Sequence, residues 1–389
     1  MRVLRTLGML IGVTLLASAC SSAGTPGAPA PSGSSAPTGA EIVIGLATPA
    51  SGPSAADGAS ATAGAKLAIA DINANGGVLN GLLRLEIGDD QASAAQGPVV
   101  AQKLLSEKVA AVVGGSYSGA SLSSATVYQR AGIPVVTAYA VHPDITKAGD
   151  RIHRIWPVAD VEGKALAEYA YDELKLSKTG VLNLDNDFGT SLATGFMDAF
   201  KAAGGKIVAQ RSEQVGTTDY SAALTTIKAG NPDSLFVAAY YSEAAQIVKQ
   251  ARAMGLDVPI FGAGFDSPLF ITLAGNASNG VTFISDFTTD SKDPKVIKFI
   301  ADYKAMTGKE PDSNAASSYD CVMVIADAIA RAKSTDGAAI AAAMKDTAIT
   351  GVTGKIGFTA EREVRRTLFL NQVDNGTIKS IGQVEIGNE

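Results

Sequence analysis

Residues 41–90 read EIVIGLATPASGPSAADGASATAGAKLAIADINANGGVLNGLLRLEIGDD, and this stretch decides the fold. A β-branched run at 42–46 predicts a strand. Behind it Ala63, Leu67 and Ala70 recur at helical spacing, and a second extended run follows at 82–87. Strand, helix and strand in that order form a unit whose two strands lie parallel with the helix across one face. The same alternation continues through predicted strands at 109–113, 133–137, 179–184, 206–210, 234–239 and 258–261. A later helical stretch sets Leu166, Tyr169, Ala170 and Leu174 on one face. Roughly 345 residues of such a pattern exceed one ordinary core, so two α/β lobes are expected, and no internal repeat is visible. The segment RIHRIWPVADVEG around Trp156 interrupts the alternation and predicts a first crossover between lobes. A second is expected at 284–289, and the stretch 354–384 reads as antiparallel and edge-like.

Outward from this body, the chain opens MRVLRTLGMLIGVTLLASAC. Arg2 and Arg5 precede an apolar stretch at 7–17, then Ser18, Ala19 and Cys20, the layout of a secretory signal over residues 1–19. The stretch is too short to cross a hydrocarbon core of about 30 Å. Ala17-Ser18-Ala19-Cys20 resembles a bacterial lipobox, so Cys20 is expected to be acylated and to become the new amino terminus. Residues 20–40, made almost wholly of small residues, proline and glycine, predict a disordered tether that holds the body off the membrane.

Charge and chemistry exclude other classes. Removing residues 1–19 takes away Arg2 and Arg5 and moves the formal charge from -6 to -8. A net negative surface without a basic run lacks the counterion release on which nucleic-acid binding depends. The two histidines, His142 and His153, lie in or beside predicted loops, and no nucleophile, base and orienter come together. Cys321 is embedded in the apolar stretch SYDCVMVIADAI, as suits a buried thiol in an oxidising compartment. Metal-ligand spacing and a GxxxxGK phosphate loop are both absent, so neither an enzyme nor a cofactor or metal is expected. The adjacent pair Asp89-Asp90 points to opposite faces of its strand and makes a poor catalytic pair.

Several runs are similar, in order, to one family. SGPSAADGASATAGAKLAIADINANGGVLNG (51–81), Asp89-Asp90, AAVVGGSYSG (110–119), AGIPVV, NDFG (186–189), TDYSAAL (218–224), YYSEAAQIVKQARAMGL (240–256) and LAGNASNGV resemble the type I periplasmic binding proteins. The leucine/isoleucine/valine-binding branch is the nearest in pattern. The resemblance runs from about residue 42 to residue 386. It implies two doubly wound lobes joined by three hinge strands, with a small ligand enclosed between them. The lobes are expected at 41–157 with 286–346, and at 158–285 with 347–389. It also implies a monomer that serves an ABC importer, delivering an amino acid of branched-chain type or a related small carboxylate or amide to a permease and its ATPase. The alternative use of the fold is a sensing module for an amide or urea-like ligand.

The resemblance also implies a site. A ligand carboxylate is expected at Tyr117, Ser118 and Gly119. Elementary physics agrees, because a helix predicted at 119–131 presents unpaired N–H groups and its positive dipole end there. The plain structural role for Ser118 is the helix N-cap, and capping is compatible with ligand contact. The backbone of Ala138 and Ala140 is implied as a contact, with Val141 where a threonine is usual. Phe188 and Tyr240 are expected as aromatic walls; Tyr241 should point away, since strand neighbours alternate. Trp156 is expected in the first hinge. An acid for a ligand ammonium is missing at Ala263 or Gly264, which leaves Asp266 or Asp57 to take the role.

Overall fold

The structure, a computed structural model, describes residues 38–115 and 117–386. The predicted signal, Cys20 and most of the predicted tether lie outside these residues.

The first sheet forms from β1 (Ile42–Thr48), β2 (Leu83–Asp89), β3 (Ala111–Gly114), β4 (Val135–Thr137) and β5 (Ile152–Arg154), in spatial order β2-β1-β3-β4-β5. All four pairings are parallel. Its connecting helices are α1 (Ala55–Ala74), α2 (Gly97–Ser106) and α3 (Ser118–Ala131). β3 and β4 are buried along their whole lengths, as a parallel sheet covered on both faces requires.

The chain then leaves this sheet through residues 155–158 and enters α4 (Ala159–Glu168). The second sheet begins with β6 (Lys178–Leu184) and is built through α5 (Asp187–Ala202), β7 (Lys206–Glu213), α6 (Ser221–Ala229), β8 (Ser234–Ala238), α7 (Tyr241–Ala253), β9 (Ile260–Ala263), α8 (Pro268–Ala274) and β10 (Thr282–Ser285). After β10 the chain returns, since α9 (Pro294–Thr307) and α10 (Ser313–Ala332) pack on α1, and α11 (Gly337–Met344) packs on α10. It crosses once more to add β11 (Ala348–Gly351), β12 (Gly354–Phe358), β13 (Val364–Asp374) and β14 (Thr377–Ile386). These pair antiparallel, as expected for 354–384, and β13 joins them to β10. The second sheet therefore runs β11-β12-β13-β10-β9-β8-β6-β7, with β14 beside β13.

Three crossings thus connect two lobes, and one buried side chain ties all three. Arg366, on β13, donates through Nη1 to Asp286 Oδ2 at 2.7 Å and to the carbonyl of Ile155, and through Nη2 to Thr353. Ile155 belongs to the first crossing, Asp286 to the second, and Thr353 to the turn that follows the third. Asp320, on α10, accepts from the N–H groups of Val352 and Thr353 at 2.9 and 2.8 Å, fixing that same turn to the first lobe.

Two helical faces differ from the sequence reading. In α1 Leu67 is buried as expected, but beside Ala61, Ala65 and Ala68, whereas Ala63 is half-buried and Ala70 exposed. Gly64 explains the rotation. A Cβ there would lie 2.0 Å from the Ala315 carbonyl, so the missing side chain lets α1 and α10 meet backbone to backbone. Leu174 is exposed: it is the C-cap of a π-helical turn at Tyr169–Glu173, whose wider turn breaks the α-helical spacing that would set it on the Leu166 and Ala170 face.

Candidate functional site

The ends of four strands bring most of the site together. β3 ends at Gly114 and the chain turns into α3, whose N-cap is Tyr117 in extended conformation (φ -124°, ψ 134°); Ser118 is therefore the first helical residue and not the cap. β4 ends at Thr137 and releases Tyr139 beyond the carboxyl edge of the first sheet, the side where open parallel sheets bind ligands. On the second sheet, β8 ends at Ala238, Tyr240 caps α7 and Tyr241 is its first residue. After β9, Gly264 turns with φ +90° and Asp266 follows. A side chain on Gly264 would strike Phe188 at 2.5 Å, so the turn requires glycine.

These residues enclose a small cavity between the lobes. Its lining includes Asp57, Tyr117, Tyr139 and Asn314 from the first lobe and Tyr240, Tyr241 and Asp266 from the second, with Gly264 and Ser267 completing the second-lobe side. The volume is about 10 Å³, room for one water. Side chains meet across it. Tyr139 Oη donates to Asp266 Oδ1, the Tyr117 and Tyr240 rings pack edge to face at 4.6 Å, and Tyr241 Oη donates to the Pro53 carbonyl at 3.3 Å. Phe188 stacks on the far face of Tyr240 at 5.0 Å and holds that ring in place. Trp156, fully buried, packs on Tyr139 at 4.4 Å and supports it from the first crossing.

The electrostatics are one-sided. Burial, followed by the neighbouring charge of Asp312, pushes the Asp57 carboxyl up to about 8, even though Tyr117 Oη donates to it at 2.6 Å. Burial also raises Asp266, against hydrogen bonds from Ser313, Tyr139 and Ser285. Asp312, joined to Ser60 and to the Ala315 N–H, is raised to about 6. Among the described residues, no lysine, arginine or histidine lines the cavity.

Of the residues expected from the sequence, Asp57, Tyr117, Tyr240 and Asp266 converge on the cavity. Ser118 lies behind them, its Oγ accepting from the Val141 N–H at 3.2 Å. Gly119 faces α5, where a Cβ would lie 3.4 Å from Asp187 Oδ2. Ala138 and Ala140 are buried beside the cavity without lining it: the Ala138 N–H bonds to Gly114, and the Ala140 carbonyl accepts from Arg154. Tyr139, between them, lines it instead. The expectation that Tyr241 points away fails, because both tyrosines lie past the strand end at a helix start, where alternation no longer applies. Tyr139, Asn314 and Ser267 had no assigned role in the sequence reading. Tyr139 carried a signal, a large aromatic at a strand end in a chain with 6% aromatic residues. Asn314 carried none.

The remaining polar residues have structural roles. Asp89 accepts from the N–H groups of Ala50, Ser51 and Gln91, Asp90 from Ala92, and His142 Nδ1 from Asp144. Cys321 is buried, with its Sγ donating to the Val136 carbonyl at 3.5 Å. A larger groove of about 450 Å³ runs between α1, α8 and residues 303–312 and shares Ser267 with the cavity. Among the described residues no group of three His, Cys, Asp or Glu is placed to hold a metal, and no helix is long and apolar enough to cross a membrane.

Two α/β lobes, three crossings and a polar-aromatic cavity at the carboxyl edges of both sheets define a cleft-type two-lobed protein. The chain belongs to the periplasmic binding protein family, whose profile matches residues 41–377. It is 30% identical over 311 residues to Leu/Ile/Val-binding protein homolog 1 of Brucella abortus, covering 79% of this chain and 83% of that one. Among solved structures it is similar to the leucine binding protein LivK of Thermotoga maritima, with a TM-score of 0.84 and 28% identity over 89% of this chain and 99% of that one. The branched-chain amino acid substrate binding protein LivJ of Streptococcus pneumoniae, in complex with isoleucine, gives 0.82 and 31% over the same shares.

Proposed function

We propose that this protein is the extracytoplasmic substrate-binding component of an ABC importer, capturing an amino-acid-type ligand between its lobes without chemical change and delivering it to a permease and its ATPase. Residues 41–157 with 286–346 form one lobe, and 158–285 with 347–389 the other. The protein acts as a monomer. The observation that carries this reading is the cavity itself, whose walls come half from each lobe and touch one another directly. The names of the relatives, which bind branched-chain amino acids, support the ligand class. Ser118 and the start of α3 hold the ligand carboxylate, as unpaired N–H groups and a positive dipole end favour an anion.

Replacing Ser118 with alanine tests this reading. A hydrogen bond to a charged group is worth about 1.5–3 kcal/mol, so calorimetric affinity should fall roughly ten- to a hundredfold while the melting temperature hardly moves. The opposite result, a lower melting temperature with affinity intact, would leave Ser118 as no more than the acceptor for Val141.

Cys20 anchors the protein to the membrane through an acyl chain, with residues 20–40 as the tether. Support comes from the sequence Ala17-Ser18-Ala19-Cys20. Cys20→Ala should move the protein from the membrane fraction to the soluble one on cell fractionation; a variant still wholly in the membrane fraction rules the anchor out.

A further inference from the structure

On the reading of this cleft as a capture site, we propose that the captured ligand carries net positive charge, as a cationic amino acid or a diamine does, and that Asp57 and Asp266 clamp its cationic groups from opposite lobes. Both carboxylates line the cavity, one on α1 and the other after β9, and each is 7% exposed. Each receives a tyrosine hydroxyl, Asp57 from Tyr117 and Asp266 from Tyr139, which orients the carboxylate without neutralising it. The nearby buried guanidinium groups are already engaged, Arg154 with Glu363 at 2.7 Å and Arg366 with Asp286 at 2.7 Å.

A second observation points the same way. Asn314 is 5% exposed, lines the cavity, and its side-chain carbonyl Oδ1 has no hydrogen-bond partner. A buried acceptor without a donor costs about 1–3 kcal/mol, and a ligand N–H removes that cost. The remaining walls are tyrosine rings, whose faces attract cations. Two carboxylates, an orphan carbonyl and four tyrosines form a site rich in acceptors and π faces. An ammonium or guanidinium supplies the counter-charge that lets both acids ionise in place, which a neutral aliphatic ligand or an anion cannot do.

Protonation links to the same event. Asp57 holds its proton near neutrality, with Asp266, Asp312, Glu243 and the four tyrosines of the cavity around it and no cation among the described residues that line the cavity. A bound ammonium or guanidinium favours the ionised carboxylate, so binding should release a proton.

The test is thermal shift followed by calorimetry on the purified protein, at millimolar lysine, arginine, putrescine, agmatine, leucine, isoleucine and benzoate. At least one of the first four should raise the melting temperature, and leucine, isoleucine and benzoate should not. Asp57→Asn and Asp266→Asn should each weaken that binding about tenfold or more. The wild-type binding heat at pH 7 should change with the ionisation enthalpy of the buffer, a readout of proton release that does not rely on the variants folding. Response to the amino acids alone would place a carboxylate in the ligand, and response to the diamines would dispense with it; both outcomes uphold the clamp. Binding of leucine or isoleucine with all four cations inert overturns the clamp and leaves amino-acid capture standing. Silence across the whole panel overturns the clamp and the capture reading together.

Discussion

Replacing Arg366 with methionine should destabilise the protein by about 3–5 kcal/mol, seen as a lower denaturant midpoint in urea unfolding. Methionine keeps much of the length and the apolar stem and removes the guanidinium. Asp286 is then a wholly buried carboxylate without its cation, which is the costly half of breaking a buried ion pair. Burial already raises Asp286 to about 7 with Arg366 beside it. The carbonyl of Ile155 loses its donor as well, and so does Thr353. A double substitution, Arg366→Met with Asp286→Leu, should recover much of the loss, since apolar replacement of a whole buried pair is often neutral. A single-variant cost under about 1 kcal/mol would show that the node does not hold the crossings together.

The second large effect is on pH dependence, and Asp57 causes it. Its carboxyl ionises near 8 in the fold and near 3.8 as a free side chain. An acid raised on folding binds its proton more tightly in the native state, so stability is full at low pH and declines as the pH rises toward 8. At about 1.4 kcal/mol per unit, the difference in pKa is worth on the order of 5 kcal/mol above pH 8. The window from pH 6.5 to 8 spans the steep part of the Asp57 contribution, and Glu162, Asp266 and Asp320, which burial also raises, act in the same direction. His153, held down to about 4 chiefly by burial from a free value of 6.5, has made most of its opposite contribution by then, and Asp90 and Asp312, raised to about 6, have largely titrated. Asp286, raised to about 7, acts in the same direction as Asp57. The wild-type melting temperature should therefore drop by a few degrees between pH 6.5 and 8 in the absence of ligand. Asp57→Asn keeps an acceptor for Tyr117 and removes the charge, so it should make that drop clearly shallower and exceed the wild type in stability at pH 8. A pH profile in Asp57→Asn as steep as in the wild type would place the ionisation elsewhere. A carboxylate kept at such a cost is understandable where a ligand compensates it.

How far the chain could be understood from its residues varied by level. The strands followed from β-branched runs, because both faces of a parallel sheet are buried and its strands stand out as apolar segments. β5 was hidden inside the segment around Trp156, being three residues long and containing a histidine and an arginine. In the site, Asp57, Tyr117, Tyr240 and Asp266 came from the resemblance to the family, whose order of motifs sets each of them beside a strand end or a helix start. Tyr241 was misjudged by extending strand alternation one residue past the point where the backbone turns helical. Asn314 reaches the cavity only because α10 returns to the first lobe after the second crossing, and nothing local in SSYDCVMV or its approach encodes that path.

The small volume between the lobes has a kinetic consequence. A ligand larger than a water molecule cannot reach Asp57 or Asp266 until the Tyr139 to Asp266 hydrogen bond and the Tyr117 to Tyr240 ring contact have separated. Entry is then a two-step event in which separation comes first and is independent of the ligand. At low concentration the observed association rate grows in proportion to ligand. At high concentration it levels off at the frequency with which the tyrosines part, a ceiling written into the walls of the cleft and common to every solute that enters it.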